Sequence, residues 1–285
     1  MRTPEIQATL ACCRVAVSLM TALGVFAMPL IAQGKLIVTS GGGAADALFR
    51  KLIGPDPRVV LIPTAASSLR SESGVIWDPD KLERRAEFQQ EMLKRFGLKE
   101  ITILHTRNRK TADSEAFVSP LRTANAVWIS SGNAGRLANT YAGTRMVAEL
   151  KALIGRGGIV AGESAGAIIQ GSYIVRGNPD KPVLMVDGHS TGFALLEHVA
   201  INPHLSSAKR ENELVSVIDR YPRLLGLGID DDTGLVVSGA IAEVFGAGRV
   251  AVYDNRRHDE RWYYWLKPGD RLNLNTRKPV GLSVE

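Results

Sequence analysis

The chain has 285 residues, 45% of them hydrophobic and 22% charged, with a formal net charge of +6. That length supports one large core or two modest ones, and the balance argues against a disordered chain or a repeat array. The basic residues are scattered, as in Lys81–Arg95 and Arg256–Arg261, and matched by nearby acids, so the concentrated basic face that nucleic-acid binding needs is missing.

The chain opens on a basic region with Arg2 and Arg14, followed by the apolar run Val15–Ala27 and small residues near Ala32-Gln33-Gly34. That order describes a secretory signal peptide over residues 1–34, with cleavage chemically reasonable after Ala27, Ala32 or Gly34. The alternative is a membrane anchor. Val15–Ile31 is uncharged, but it sits at the short limit of the roughly 20 residues a span needs, and Pro29 interrupts it. The expectation is therefore an exported protein, periplasmic or extracellular, with no stable membrane insertion once the leader is gone. Both cysteines, Cys12 and Cys13, fall in the leader. The mature chain would lack a disulfide, a thiolate nucleophile and a cysteine metal site.

Strands and helices then alternate. Lys35–Ser40 reads as a strand ending in Gly41-Gly42-Gly43, and Ala45–Leu52 as a helix. Arg58–Pro63 is a strand, followed by the loop Thr64–Ser73. Asp80–Phe96 is an amphipathic helix stopped by Gly97. Glu100–Leu104 is a strand, Ser114–Arg122 a short helix, Ala126–Ile129 a strand, Ser130–Asn133 a loop and Ala138–Ile154 one helix ending at Gly155. Gly158–Ala161 is the next strand. Short apolar strands separated by helices imply an α/β fold, with a mostly parallel sheet covered on both faces. Ligands bind such sheets at the carboxyl ends of their strands, where the loops 41–44, 131–133 and 162–166 would gather. Ser172–Glu197 is a long stretch containing Gly and Pro. Val199–Ile201 is a strand leading to His204, and Glu211–Arg220 a helix. Leu224–Ile229, Gly234–Ser238, Ala240–Phe245 and Arg249–Asp254 read as consecutive strands, and Trp262–Leu274 as an aromatic tail turning at Pro268-Gly269. No linker separates this β extension, so residues 35–285 read as a single domain.

The most informative segment is Gly158–Ile169. A short apolar run leads into Gly162-Glu163-Ser164-Ala165-Gly166 and a small-residue helix start. G-x-S-x-G between strand and helix is a nucleophile elbow, in which residues without a Cβ let the chain turn sharply. The bland alternative is a Gly-rich turn with a bystander serine. A serine nucleophile needs a base, an orienting carboxylate and N–H donors for the oxyanion. Ala165 N–H is the natural first donor, and Gly132 or Asn133 could supply the second. Downstream histidines are His189, His198, His204 and His258. His204 follows an apolar strand that would fix it, but spacing alone leaves the four open. Gly41-Gly42-Gly43 lacks dinucleotide spacing and no phosphate-loop lysine comes after it. No histidine–carboxylate spacing demands zinc, so neither cofactor nor metal is expected.

Taken together, Gly41–Gly43, Val60–Ser67, Gly158–Ala167, His204 and Leu225–Thr233 resemble the serine peptidase family that includes cyanophycinase and peptidase E. The resemblance covers Leu36 to about Asp254. It implies a fold like class I glutamine amidotransferases, with serine in place of their cysteine, and serine-dependent hydrolysis of a peptide or isopeptide bond. It also implies Ser164 as nucleophile, His204 as base, and an acid between them. By spacing Asp180 is the closest match, with Asp187 in reserve. Arg136, Lys209 or Arg210 could hold a substrate carboxylate, Arg210 being kept from the family's arginine-rich segment, and Asn133 would help bind substrate. The chain departs from the family in three places, one being the arginine-rich segment after the histidine, where Leu205–Glu211 keeps Arg210 but not the full set. Ser131-Gly132-Asn133-Ala134 lacks the glutamine found in many relatives, and Asn202-Pro203 replaces the Asp-Gln before the histidine. Those losses weigh against cleavage of a β-Asp-Arg polymer and leave the hydrolytic groups in place. Rival readings are an exported esterase and a non-catalytic binding protein on the same scaffold. A homodimer is left open.

Overall fold

The computed structural model describes residues 33–67, 69–70, 76–81, 83–175 and 190–281. The chain divides into two units at Leu30–Ile31, and every described element belongs to the second. In chain order the elements are β1 (Lys35–Thr39), α1 (Gly43–Leu52), β2 (Val59–Ile62), β3 (Leu69–Arg70), β4 (Ile76–Trp77), α2 (Arg85–Phe96), β5 (Thr102–Ile103), α3 (Arg109–Ala112), α4 (Glu115–Thr123) and β6 (Ala126–Ile129). Next come α5 (Ala134–Tyr141), α6 (Arg145–Gly155), β7 (Ile159–Glu163), α7 (Ala165–Ile168), β8 (Gly171–Ile174), β9 (Leu196–Pro203) and α8 (Glu211–Arg220). The chain ends with β10 (Leu225–Ile229), β11 (Thr233–Ser238), β12 (Ile241–Gly246), β13 (Val250–Tyr253), β14 (Tyr264–Leu266), β15 (Arg271–Asn273) and β16 (Lys278–Val280).

Two sheets carry the fold. A 9-stranded sheet runs β16-β15-β12-β11-β1-β7-β6-β2-β5, and a 5-stranded sheet runs β14-β13-β10-β9-β8. Strands β1, β7, β6, β2 and β5 pair in parallel, as do β8, β9 and β10. The remaining ladders of both sheets are antiparallel. The α/β reading therefore holds, but "mostly parallel" describes only one part of each sheet, β1-β7-β6-β2-β5 and β10-β9-β8, which runs out to the β5 and β8 edges. The C-terminal extension adds antiparallel strands to the opposite edge of each sheet, and short turns join β11 to β12 and β15 to β16 where a parallel ladder would need a crossover.

The central strands are apolar on both faces because both faces are covered. On the large sheet, Ile37, Leu61, Trp128 and Ala161 face the layer of α1 and α2, where Phe49, Phe88 and Phe96 pack. Val38, Val60, Ile129 and Val160 face the other way, against α4 to α7 and the near face of the small sheet. The far face of the small sheet is closed by Leu214, Val217 and Ile218 of α8. In β10, Leu225, Leu227 and Ile229 point into the shared core. Gly226 and Gly228 point the other way, where a Cβ would meet Tyr253 at 2.9 Å and Leu205 at 2.7 Å. The Leu-Gly-Leu-Gly-Ile alternation is thus a packing requirement of one strand face.

Several boundaries differ from the sequence reading. The helix expected over 138–154 is two helices, broken at Ala142-Gly143-Thr144, with Gly143 at φ 71° and the first helix starting at Ala134. The helix expected from Asp80 begins at Arg85, directly after Arg84 at φ 60°, while Asp80 turns its carboxylate to His105 and Arg107. The strand expected over 100–104 shortens to Thr102–Ile103.

Candidate active site

Strand β7 lies between β1 and β6 in the large sheet and delivers Ser164 at its carboxyl end. Ser164 sits at φ 52°, ψ −106°, a conformation an L-residue holds only when its surroundings force it. Two glycines supply that force. A Cβ at Gly162 would lie 2.1 Å from the Gly166 carbonyl oxygen, and one at Gly166 would lie 2.1 Å from that of Ile129. The helix after the elbow therefore packs directly on the strands. Gln170, fully buried, adds hydrogen bonds from Nε2 to the carbonyls of Ile37 (3.0 Å) and Gly166 (3.3 Å).

The second component comes from the small sheet. β9 ends at Pro203 and places His204, at φ 57°, over the elbow. His204 Nε2 is 3.0 Å from Ser164 Oγ, and His204 Nδ1 is 2.5 Å from Asp231 Oδ1. Strands β9 and β10 are parallel with Ile229 opposite Pro203, so the residues after each strand end side by side. Ser40, at the end of β1, ties them to the large sheet. It donates to Ile229 O (3.0 Å) and accepts from His204 N–H (3.2 Å).

The three aspartates after β10 do different work. Asp230 accepts from Ser206 and from Arg249 N–H. Asp231 meets the imidazole, and its carboxyl is held below the usual range by hydrogen bonds from Ser207 and His204. Asp232 accepts from Ala44 N–H at 3.1 Å, at the start of α1. Gly42 sits there at φ 107°, a conformation that favours glycine, and a Cβ would also fall 2.2 Å from Asp232 Oδ1. Glu163, beside the nucleophile, is paired with Arg95 at 2.8 Å, and Arg95 also grips Asp46 through two nitrogens.

Of the four histidines read from the sequence, His204 reaches Ser164. His198 is exposed on β9, His258 bonds Asp254 at 2.8 Å, and His189 lies outside the described residues. Asp180 and Asp187 also lie outside them, and the carboxylate on His204 Nδ1 is Asp231, which comes after the histidine in the chain. Sequence reasoning missed both Asp231 and Ser40. The N–H groups of Ala165 and Gly132 have no internal acceptor among the described residues. Gly132, at φ 141°, packs on Ala65, whose carbonyl oxygen would be 2.3 Å from a Cβ there. Asn133 uses Oδ1 to cap α5, accepting from Gly135 and Arg136 N–H. Arg136 donates to Ala65 O and Arg210 to Pro203 O. Among the described residues no three His, Cys, Asp or Glu side chains gather to hold a metal ion.

Chemically, an imidazole in contact with both a hydroxyl and a carboxylate can take a proton at Nε2 while the carboxylate holds the Nδ1–H tautomer. The sequence pattern of Peptidase family S51 matches residues 30–245. A cyanophycinase of Geminocystis herdmanii is 25% identical over 86% of this chain and 96% of its own length. One from Synechococcus elongatus is 26% identical over 78% of this chain and 69% of its own. The crystal structure of a peptidase from an acI-B1 Actinobacterium overlays with a TM-score of 0.65 at 24% identity, covering 85% of this chain and 98% of that one. The expected resemblance is thereby met, and the chain belongs to peptidase family S51.

Proposed function

We propose that this peptidase cleaves a peptide or isopeptide bond through an acyl-enzyme on Ser164. The observation that carries the proposal is the 3.0 Å contact of His204 Nε2 with Ser164 Oγ, on a strained elbow where the hydroxyl is held in place. In this reading Ser164 Oγ attacks the carbonyl carbon as its proton passes to His204 Nε2. Asp231 stabilises the imidazolium and fixes its tautomer. The Ala165 and Gly132 N–H groups take the oxyanion. His204 then protonates the leaving amine, and afterwards activates the water that frees Ser164. Asp231 takes the orienting role that the family resemblance assigns to Asp180. Among the described residues, Asn133 Nδ2 and the remaining nitrogens of Arg210 have no acceptor. We assign these to substrate.

Relatives that carry the name cyanophycinase make cyanophycin one substrate to test. The departures at 131–134 and 202–203 favour a different acyl group. The leader composition supports export, and scattered surface charge supports a partner set without nucleic acid. The test is a panel of α- and β-linked dipeptides, cyanophycin and p-nitrophenyl esters, run with wild-type protein and Ser164→Ala. Amide or isopeptide turnover lost in Ser164→Ala is the expected result. Turnover of esters alone would favour an esterase. Turnover retained in pure Ser164→Ala protein would refute the nucleophile.

A further inference from the structure

Away from the nucleophile, one arginine gathers an unusual set of contacts. Arg107 lies just beyond β5, and all three of its guanidinium nitrogens are engaged. Nε lies 3.0 Å from both carboxylate oxygens of Asp80, Nη1 donates to Thr64 O, and Nη2 donates to Ala66 O at 2.6 Å. Thr64 and Ala66 belong to the turn that ends β2, closed by Ala66 N–H to Pro63 O at 3.0 Å. The carbonyl between them points elsewhere: Ala65 O accepts from Asn133 N–H at 2.9 Å and from Arg136 Nη1 at 3.1 Å. Two arginines therefore hold three successive carbonyls, and the middle one is the seat of the Gly132-Asn133 backbone. Contact there is tight, since a Cβ on Gly132 would lie 2.3 Å from Ala65 O and 2.7 Å from Ala66 N.

We infer that Arg107 is a positioning residue for the Gly132 oxyanion donor, acting through the Thr64–Ala66 turn. The inference rests on the proposed hydrolase function and extends it to a residue remote from the reacting atoms. With Thr64 O and Ala66 O drawn to one cation, the peptide planes on either side of the 65–66 peptide are held, which restricts that peptide's rotation and so the direction of Ala65 O. The Asn133 N–H tracks that carbonyl, and the neighbouring Gly132 N–H turns with it. An oxyanion donor acts only within hydrogen-bond distance of the developing charge, so a small rotation is felt in rate. A lysine cannot reproduce the arrangement, because one ammonium lacks the planar fork that reaches two carbonyls and a carboxylate together.

The experiment uses full-length protein and a small alkyl fluorophosphonate. Ser164 Oγ bonds to phosphorus, fluoride leaves, and the serine proton goes to His204, so labelling needs both the Ser–His pair and the oxyanion donors. For Arg107→Met and Arg107→Lys we expect the maximal labelling rate to fall by about ten- to a hundred-fold, with the half-saturating reagent concentration unchanged. Low, non-denaturing guanidinium should restore part of the rate in Arg107→Met. The low-field proton resonance of His204 Nδ1–H should persist in both variants, showing that the histidine pair is intact. Wild-type labelling rates in a folded Arg107→Met would overturn the inference, as would slow labelling accompanied by loss of the His204 resonance. If the wild-type protein itself is not labelled, the hydrolase reading fails and this inference falls with it.

Discussion

Replacing Asp231 with Asn tests the least expected part of the site. The carboxylate sits 2.5 Å from His204 Nδ1, while Nε2 faces Ser164 at 3.0 Å. As a carboxylate it can only accept, so Nδ1 must carry the proton and Nε2 is left free to receive one from serine. An asparagine at 231 can turn its NH₂ toward the imidazole. Nδ1 then becomes the acceptor, and Nε2–H points at Ser164 Oγ, which cannot deliver its proton to a nitrogen that already bears one. In a fully buried triad this change lowers turnover by about ten-thousand-fold. The Asp231 side chain is 52% exposed, so water can partly stand in for it. The expected loss here is smaller, about a hundred- to a thousand-fold in kcat/KM, or roughly 3–4 kcal/mol of transition-state stabilisation. The assay is hydrolysis of the best substrate from the peptide panel, with circular dichroism to confirm folding. A loss under about threefold would refute the reasoning and return the orienting role to a carboxylate outside the described residues, Asp180 first.

The same geometry sets other expectations. Gly166→Ala forces a Cβ to 2.1 Å from Ile129 O and should destabilise by about 3 kcal/mol or more, read as a lower thermal midpoint. Arg95→Ala removes the partner of Glu163 and Asp46 and the cation over Trp128, and should lose about 1–2 kcal/mol in urea unfolding, given its 27% side-chain exposure. No measurable change would mean that these contacts contribute nothing to stability. His105 is held below the usual imidazole range by burial and the charge of Arg107, despite the opposing pull of Asp80. Below its ordinary value of 6.5 the unfolded chain binds the proton more readily than the folded one. Stability should therefore fall as pH drops from 6.5 and level off below the folded value, and His105→Asn should flatten that slope in thermal melts. Asp231 shifts in the same direction: its depressed folded value contributes stability above 3.8 that is lost as pH falls through the folded value.

How much of this was legible in the chain depends on where the constraint is written. The elbow was readable because steric exclusion at Gly162 and Gly166 leaves glycine as the residue that fits, and that requirement is local. The parallel strands of the large sheet were readable because burial on both faces gives continuous apolar runs. The acid was not readable from spacing. Asp230, Asp231 and Asp232 are alike as letters, and only backbone direction after β10 sends one to the histidine and its neighbours to Ser206 and Ala44. A signal did exist: two apolar strands, one ending before His204 and one before Asp230, would bring those residues together if paired in parallel, as they are. The break at Gly143 was missed because Ala, Thr and Gly disturb helical periodicity too little to mark a turn. Ser40 gave no signal, since its role exists only where the ends of β1, β9 and β10 meet.

The most direct measurement is peptide mapping of the fluorophosphonate adduct by mass spectrometry. The account predicts a single adduct on the peptide containing Ser164, absent in Ser164→Ala and strongly slowed in His204→Ala. An adduct on another serine, or none in folded wild-type protein, would contradict it.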